Sequence, residues 1–227
     1  MPNLLIQEQL GAPNLVERPP LEPGEPAADF SLPRLNREGT VSLADYRDRN
    51  AVLLAIERGL YCPFCRRHIT QLGATARRLT PLGVEVLAIV ATPPERAKSY
   101  LRYRPAPVAL AADPRSQIHR AYGLPKFPGS PEVVDKIYSA PVNPFGTLPA
   151  PRPLKELAES LSRDDPYEWT GADQEASQIE QVQTTGQFLI DRHGIVRWRH
   201  VEGETDGLAG LSRFPSDQEL LAAARSL

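Results

Sequence analysis

Sulfur is scarce in this chain of 227 residues, which has two cysteines and one methionine. Two cysteines cannot build a disulfide framework, and no second CxxC exists to complete a four-cysteine zinc site. Charge of one sign is lacking as well. With 26 basic against 28 acidic residues the net charge is −2. That leaves no electrostatic footprint for nucleic acid or an anionic membrane. No apolar run approaches the length of a membrane span. The start, Met1-Pro2-Asn3-Leu4-Leu5-Ile6-Gln7-Glu8, lacks the charged, apolar and cleavage regions of a signal peptide. No Gly-rich phosphate loop is present. The expectation is a cytoplasmic protein, large enough to bury a full core, with no metal, flavin or nucleotide cofactor.

What the chain does have is one concentrated motif, Tyr61-Cys62-Pro63-Phe64-Cys65-Arg66-Arg67-His68. Before it runs Ala51-Val52-Leu53-Leu54-Ala55-Ile56, apolar throughout, as a strand buried on both faces reads. After it, Ile69, Leu72, Ala76 and Leu79 recur at spacings of three and four and predict a helix from about Pro63 to Leu79. Cys62 therefore falls at a helix N-terminus, where unpaired N–H groups and the helix dipole stabilise an anion. Pro63 suits the first turn, where its missing N–H is not needed. Such a position lowers a thiol's pKa. Of the nearby cations, Arg58 leaves the strand end and is the one placed to reach the sulfur. Cys65 lies one turn below and more covered. The assignment is Cys62 as attacking thiolate and Cys65 as resolving thiol.

Two other readings remain open on the residues alone. Cys62, Cys65 and His68 could be three ligands of a metal, the fourth being His119, His193, His200 or a carboxylate. Alternatively, both cysteines are inert core residues. A strand before the motif and a helix through it favour redox chemistry.

The rest of the chain divides around this motif. Residues 1–26 are proline-rich and predict an extended arm, and residues 27–227 form one domain. Up to about residue 124 strands alternate with helices: Val84–Ala91, a helix from Pro94, Val108–Ala112, and a helix from Pro114 to Tyr122 behind the cap Asp113. Residues 125–183 break this rhythm, with eight prolines between 125 and 153. They read as a long insertion with one short helix, Leu154–Leu161, forming a lid or a dimer contact near Cys62. A hairpin over 187–200 and a helix capped by Ser216 close the chain.

In their order along the chain, several segments resemble the thioredoxin-like superfamily, in the branch of peroxiredoxins and alkyl hydroperoxide reductase/thiol-specific antioxidant proteins. They are Gly24–Pro33, Val41–Arg47, the cysteine motif, Val84–Val90 and Phe188–Arg197. The resemblance implies a three-layer α/β fold with a central mixed sheet and helices on both faces. It also implies a thiol-dependent antioxidant oxidoreductase that reduces peroxides through a Cys62–Cys65 dithiol/disulfide cycle. An external dithiol such as a thioredoxin or glutaredoxin would recycle it, and a homodimer is consistent with the pattern. Thr185 occupies the place that, in this fold, faces the cysteine motif and presents backbone groups to substrate; its hydroxyl could reach a sulfur or a peroxide oxygen. Three positions depart from the peroxiredoxin pattern. Ala55 and Gly59 stand where a proline and a hydroxyl residue are usual, and Thr185 replaces an arginine. The competing expectations are a disulfide oxidoreductase acting on protein disulfides and a non-catalytic interaction scaffold.

Overall fold

The computed structural model describes residues 4–180 and 182–227, so the first three residues of the arm lie outside it. Among the described residues nine strands run in chain order: β1 Ser31–Pro33, β2 Thr40–Ser42, β3 Ala51–Glu57, β4 Val84–Val90, β5 Ala109–Ala112, β6 Pro141–Val142, β7 Arg152–Pro153, β8 Gly186–Ile190 and β9 Val196–Val201. Eight α-helices accompany them among the same residues: α1 Leu5–Leu10, α2 Pro63–Leu79, α3 Pro94–Leu101, α4 Gln117–Ala121, α5 Pro131–Ser139, α6 Leu154–Asp164, α7 Gly171–Glu180 and α8 Asp217–Arg225.

Five strands form the central sheet in the order β5-β4-β3-β8-β9. β3, β4 and β5 run parallel, whereas β8 and β9 are antiparallel additions. β3 is at the centre and every one of its residues is buried. Its side chains alternate between two cores, as the period of a strand requires. Leu53 and Ala55 join Ile69, Leu72, Ala97 and Leu220 from α2, α3 and α8. Val52, Leu54 and Ile56 join Leu32, Val41, Ile118 and Tyr122 on the other face. This is the three-layer α/β arrangement expected from the sequence.

A third apolar cluster is the one that bears on function. It gathers Tyr61, Cys62, Phe64 and Cys65 with Val133 and Ile137 of α5, Leu154 and Leu157 of α6, and Ile6 and Leu10 of α1. The structure departs from the sequence expectation at both contributors. Within the arm, Leu5–Leu10 is helical rather than extended. It is closed by Gly11 at φ 64° and seated where Ile6 N–H donates to the Gly203 carbonyl. Six residues hold no helix alone, so packing supplies what length does not. In the insertion, Pro131 does not break a helix but begins one: it sits in the first turn behind Ser130, whose Oγ accepts from Val133 N–H. The helix expected from Pro114 starts later, at Gln117, because Ser116 adopts a left-handed φ of 50°; Asp113 still accepts from Ile118 N–H.

Candidate active site

The end of β3 delivers Glu57 and Arg58, a tight turn follows, and Cys62 is the N-cap residue of α2 with Pro63 at its first position. Cys62 Sγ accepts from Cys65 N–H at 3.4 Å, doing for the helix what a serine or aspartate oxygen does at other N-termini. Both cysteines are free thiols. Cys62 keeps 7% of its surface exposed and Cys65 none, so of the two residues only Cys62 reaches the surface.

Arg58 is held from two sides. Its Nε donates to the Gln183 carbonyl at 2.6 Å, and its terminal nitrogen forms an ion pair with Glu202 Oε2, also at 2.6 Å. Glu202 is completely buried, and it is fully used. Oε2 also accepts from Thr185 N–H at 2.8 Å and from Thr185 Oγ1 at 3.2 Å, while Oε1 accepts from Ser212 N–H at 2.6 Å. The Thr185 hydroxyl is thus directed at Glu202. It anchors the carboxylate that anchors Arg58.

The two thiols are driven apart by their surroundings. Burial pushes Cys62 up, but the Cys65 groups that donate to its sulfur and the Arg58 guanidinium outweigh it and bring the thiol down to about 7. Burial, then the neighbouring Cys62 and Glu57, holds Cys65 well above the ordinary thiol range. Arg58 is lifted above its usual value despite burial, because Glu202 and the two sulfurs favour its charge. The arrangement is one thiolate near neutral pH beside one protected thiol.

Arg66 and Arg67 have other tasks. Arg66 donates to the Leu60 and Tyr61 carbonyls and pairs with Asp165 at 2.7 Å, fastening the insertion to the start of α2. Arg67 lies 4.0 Å over the Phe145 ring. His68 faces Glu57 rather than the sulfurs as a ligand set would require. Gly59 explains the missing hydroxyl residue. A Cβ there would run into the Tyr61 ring and lie 3.1 Å from Thr92 Oγ1, which is already accepting from Leu60 N–H.

Over Cys62 the insertion builds a groove of about 1030 Å³. Arg58, Tyr61 and Cys62 lie along it, with Tyr138, Leu154 and Trp169 from the insertion. Tyr61 and Trp169 meet with ring centroids 5.8 Å apart.

Sequence reasoning named Arg58, Pro63, Cys62, Cys65 and Thr185, and the structure brings all five together. It missed Glu202 and the Glu57–His68 pair. Glu57 carried a readable signal, a carboxylate closing an otherwise apolar strand; Glu202, 144 residues from Arg58, carried none.

The model of the AhpC/TSA family matches residues 23–199. The chain belongs to that family. It is a thiol-dependent oxidoreductase of thioredoxin-like fold. No curated protein matches it. Among solved structures it is similar to the 2-Cys peroxiredoxin of Plasmodium vivax in its reduced form, with 15% identity and a TM-score of 0.56 over 91% of this chain and 81% of that one. The peroxidoxin BcpB of Mycobacterium tuberculosis gives 15% and 0.55 over 91% and 98%. A structure described as a thiol:disulfide interchange protein DsbE from Chlorobium tepidum gives 22% and 0.51 over 90% and 99%. At these identities the neighbours speak for the family's fold.

Proposed function

We propose that the protein is a thiol peroxidase in which Cys62 attacks the O–O bond of a peroxide and Cys65 then closes a Cys62–Cys65 disulfide. The observation that carries this reading is the fixed guanidinium of Arg58 on the same groove as Cys62. It stabilises the attacking thiolate and offers N–H groups to the departing oxygen. Cys62 becomes a sulfenic acid as the peroxide's other oxygen leaves as an alcohol or water; Cys65 condenses with it and releases water. An external dithiol of thioredoxin or glutaredoxin type returns the pair to the reduced state. The apolar walls of the groove favour organic hydroperoxides over hydrogen peroxide.

A second reading is exchange with protein disulfides. It is favoured by Gly59, where the Tyr61 ring fills the space of the hydroxyl that orients peroxides in the family's usual pattern. Stopped-flow oxidation of the reduced protein by hydrogen peroxide, cumene hydroperoxide and a model disulfide separates the two. Fast hydroperoxide consumption that is lost in Cys62→Ser, with a sulfenic acid trapped in Cys65→Ser, is the expected result. Sluggish reaction with both peroxides beside rapid disulfide exchange would select the second reading.

A further inference from the structure

One hydroxyl on the groove has no task in the chemistry above, and its backbone is unusual. Ser212 lines the groove together with Arg58 and Cys62, just after the short helical turn Gly207–Gly210. Leu211 has φ −61° and ψ 133°, Ser212 has φ 58°, and Arg213 N–H donates to the Gly210 carbonyl at 3.1 Å. These are the marks of a type II turn, whose third position favours glycine because φ is positive there. A serine at that position carries a steric cost that glycine would not. A residue held against such a preference points to a use for its side chain.

The turn is fastened on several sides. Leu211 is buried in the cluster that contains Cys62, Phe64 and Cys65. The Arg213 carbonyl meets His200 Nε2 at 3.2 Å, and the Arg213 guanidinium pairs with Asp206 at 2.7 Å. Ser212 N–H donates to Glu202 Oε1 at 2.6 Å, and Glu202 Oε2 holds the Arg58 guanidinium, also at 2.6 Å. A single carboxylate therefore sets Ser212 beside the head of Arg58. The Ser212 hydroxyl has no hydrogen-bond partner among the described residues, yet Oγ is not one of the sealed, unpartnered atoms of the interior. The little of Ser212 that is exposed opens on the groove. Arg58 is similar: Nε and one terminal nitrogen are engaged, and the other terminal nitrogen is neither bonded among the described residues nor sealed.

The two groups complement each other chemically. A guanidinium only donates, whereas a hydroperoxide carries an O–H that needs an acceptor. Thr185 does not supply one, since its hydroxyl is directed at Glu202. Asp135 and Glu159 also lie along the groove, but they are exposed side chains of α5 and α6 with no tie to Arg58. We propose that the Ser212 hydroxyl orients the hydroperoxide at Cys62: Oγ accepts from the O–H of the oxygen under attack while Arg58 donates to the other oxygen. The inference rests on the peroxidase reading and names the group that aims its substrate. The Cys62 thiolate attacks the hydrogen-bearing oxygen; an S–O bond forms and the O–O bond breaks. The second oxygen leaves with the bonding electrons beside Arg58 and takes a proton from water. The sulfur is oxidised to the sulfenic acid, and the peroxide is reduced to an alcohol or water. Held at both oxygens, the O–O bond is kept in a reactive alignment.

The test is Ser212→Gly, because glycine keeps the N–H to Glu202 and suits the turn. Consumption of cumene hydroperoxide and of hydrogen peroxide, followed by stopped flow, should slow about tenfold, the worth of one hydrogen bond. Urea stability should be equal to wild type or higher. The iodoacetamide midpoint of Cys62 should not move, since Arg58 and Glu202 stay in place. Ser212→Ala restores a Cβ without the hydroxyl and should be as slow as the glycine variant. Wild-type peroxide rates in Ser212→Gly would overturn the role. A slow Ser212→Gly beside a fast Ser212→Ala would also overturn it, by assigning the loss to a loosened turn. A shifted Cys62 midpoint would overturn direct contact, by assigning the loss to Arg58. A wild-type protein sluggish toward both peroxides would overturn the peroxidase reading itself, and this role with it.

Discussion

Two buried carboxylates, Glu202 and Glu57, flank the dithiol, and they are partnered differently. Glu202 accepts four hydrogen bonds, from Arg58, the Thr185 backbone and hydroxyl, and the Ser212 backbone, so neither oxygen is idle. Among the described residues the Glu57 carboxylate has one partner, His68, and an oxygen without one. A carboxylate bound on all sides holds a permanent charge in one place. One bound on a single side is held less firmly. Arg58–Glu202 has the form of a fixed electrostatic element on the Cys62 side, whereas Glu57 is held by the single contact to His68. The same fold supplies both because β3 ends between them.

Stability separates the two most strongly. Glu202→Gln leaves the largely buried Arg58 guanidinium without its carboxylate partner, a loss expected at about 3 kcal/mol. Glu57→Gln keeps an amide within reach of His68 and is expected to lose only about 1–2 kcal/mol. Urea unfolding of both variants measures the difference, and the reverse order would contradict the comparison. Next in size is the effect of Arg58 on reactivity. Arg58→Met removes the cation that helps bring Cys62 down to about 7, so its thiol rises and the thiolate fraction at pH 7 falls roughly tenfold. Thiolate absorbance against pH reads this directly; an unmoved midpoint would remove Arg58 from the site.

How far these features were legible varies with their range along the chain. The apolar run of β3, the proline behind Cys62 and the spacing of Ile69, Leu72 and Leu79 are local, and each reads as the structure has it. The Arg58–Glu202 contact spans 144 residues, and no local pattern encodes it. The insertion misled because proline was read as a breaker. Pro131 lies instead at the one helical position that tolerates it. Residues Leu4–Leu10 misled because a single turn or two gains its stability from Gly203 and the third apolar cluster, not from its own composition.

The smallest expected effect sharpens the Cys62 side of that comparison, at the groove. Trp169 is half exposed and packs on Tyr61 at the groove over Cys62. Trp169→Ala should raise KM for cumene hydroperoxide roughly three- to tenfold while leaving hydrogen peroxide unaffected. Equal changes for both oxidants would deny the groove a part in selecting substrate.

The central claim is that one sulfur is activated and its neighbour protected. Iodoacetamide labelling of the reduced protein from pH 5 to 10, with each cysteine followed by peptide mass spectrometry, tests it most directly. Cys62 should label with a midpoint near 7 while Cys65 stays unlabelled well past it. Both cysteines labelling together in the ordinary thiol range would contradict the account.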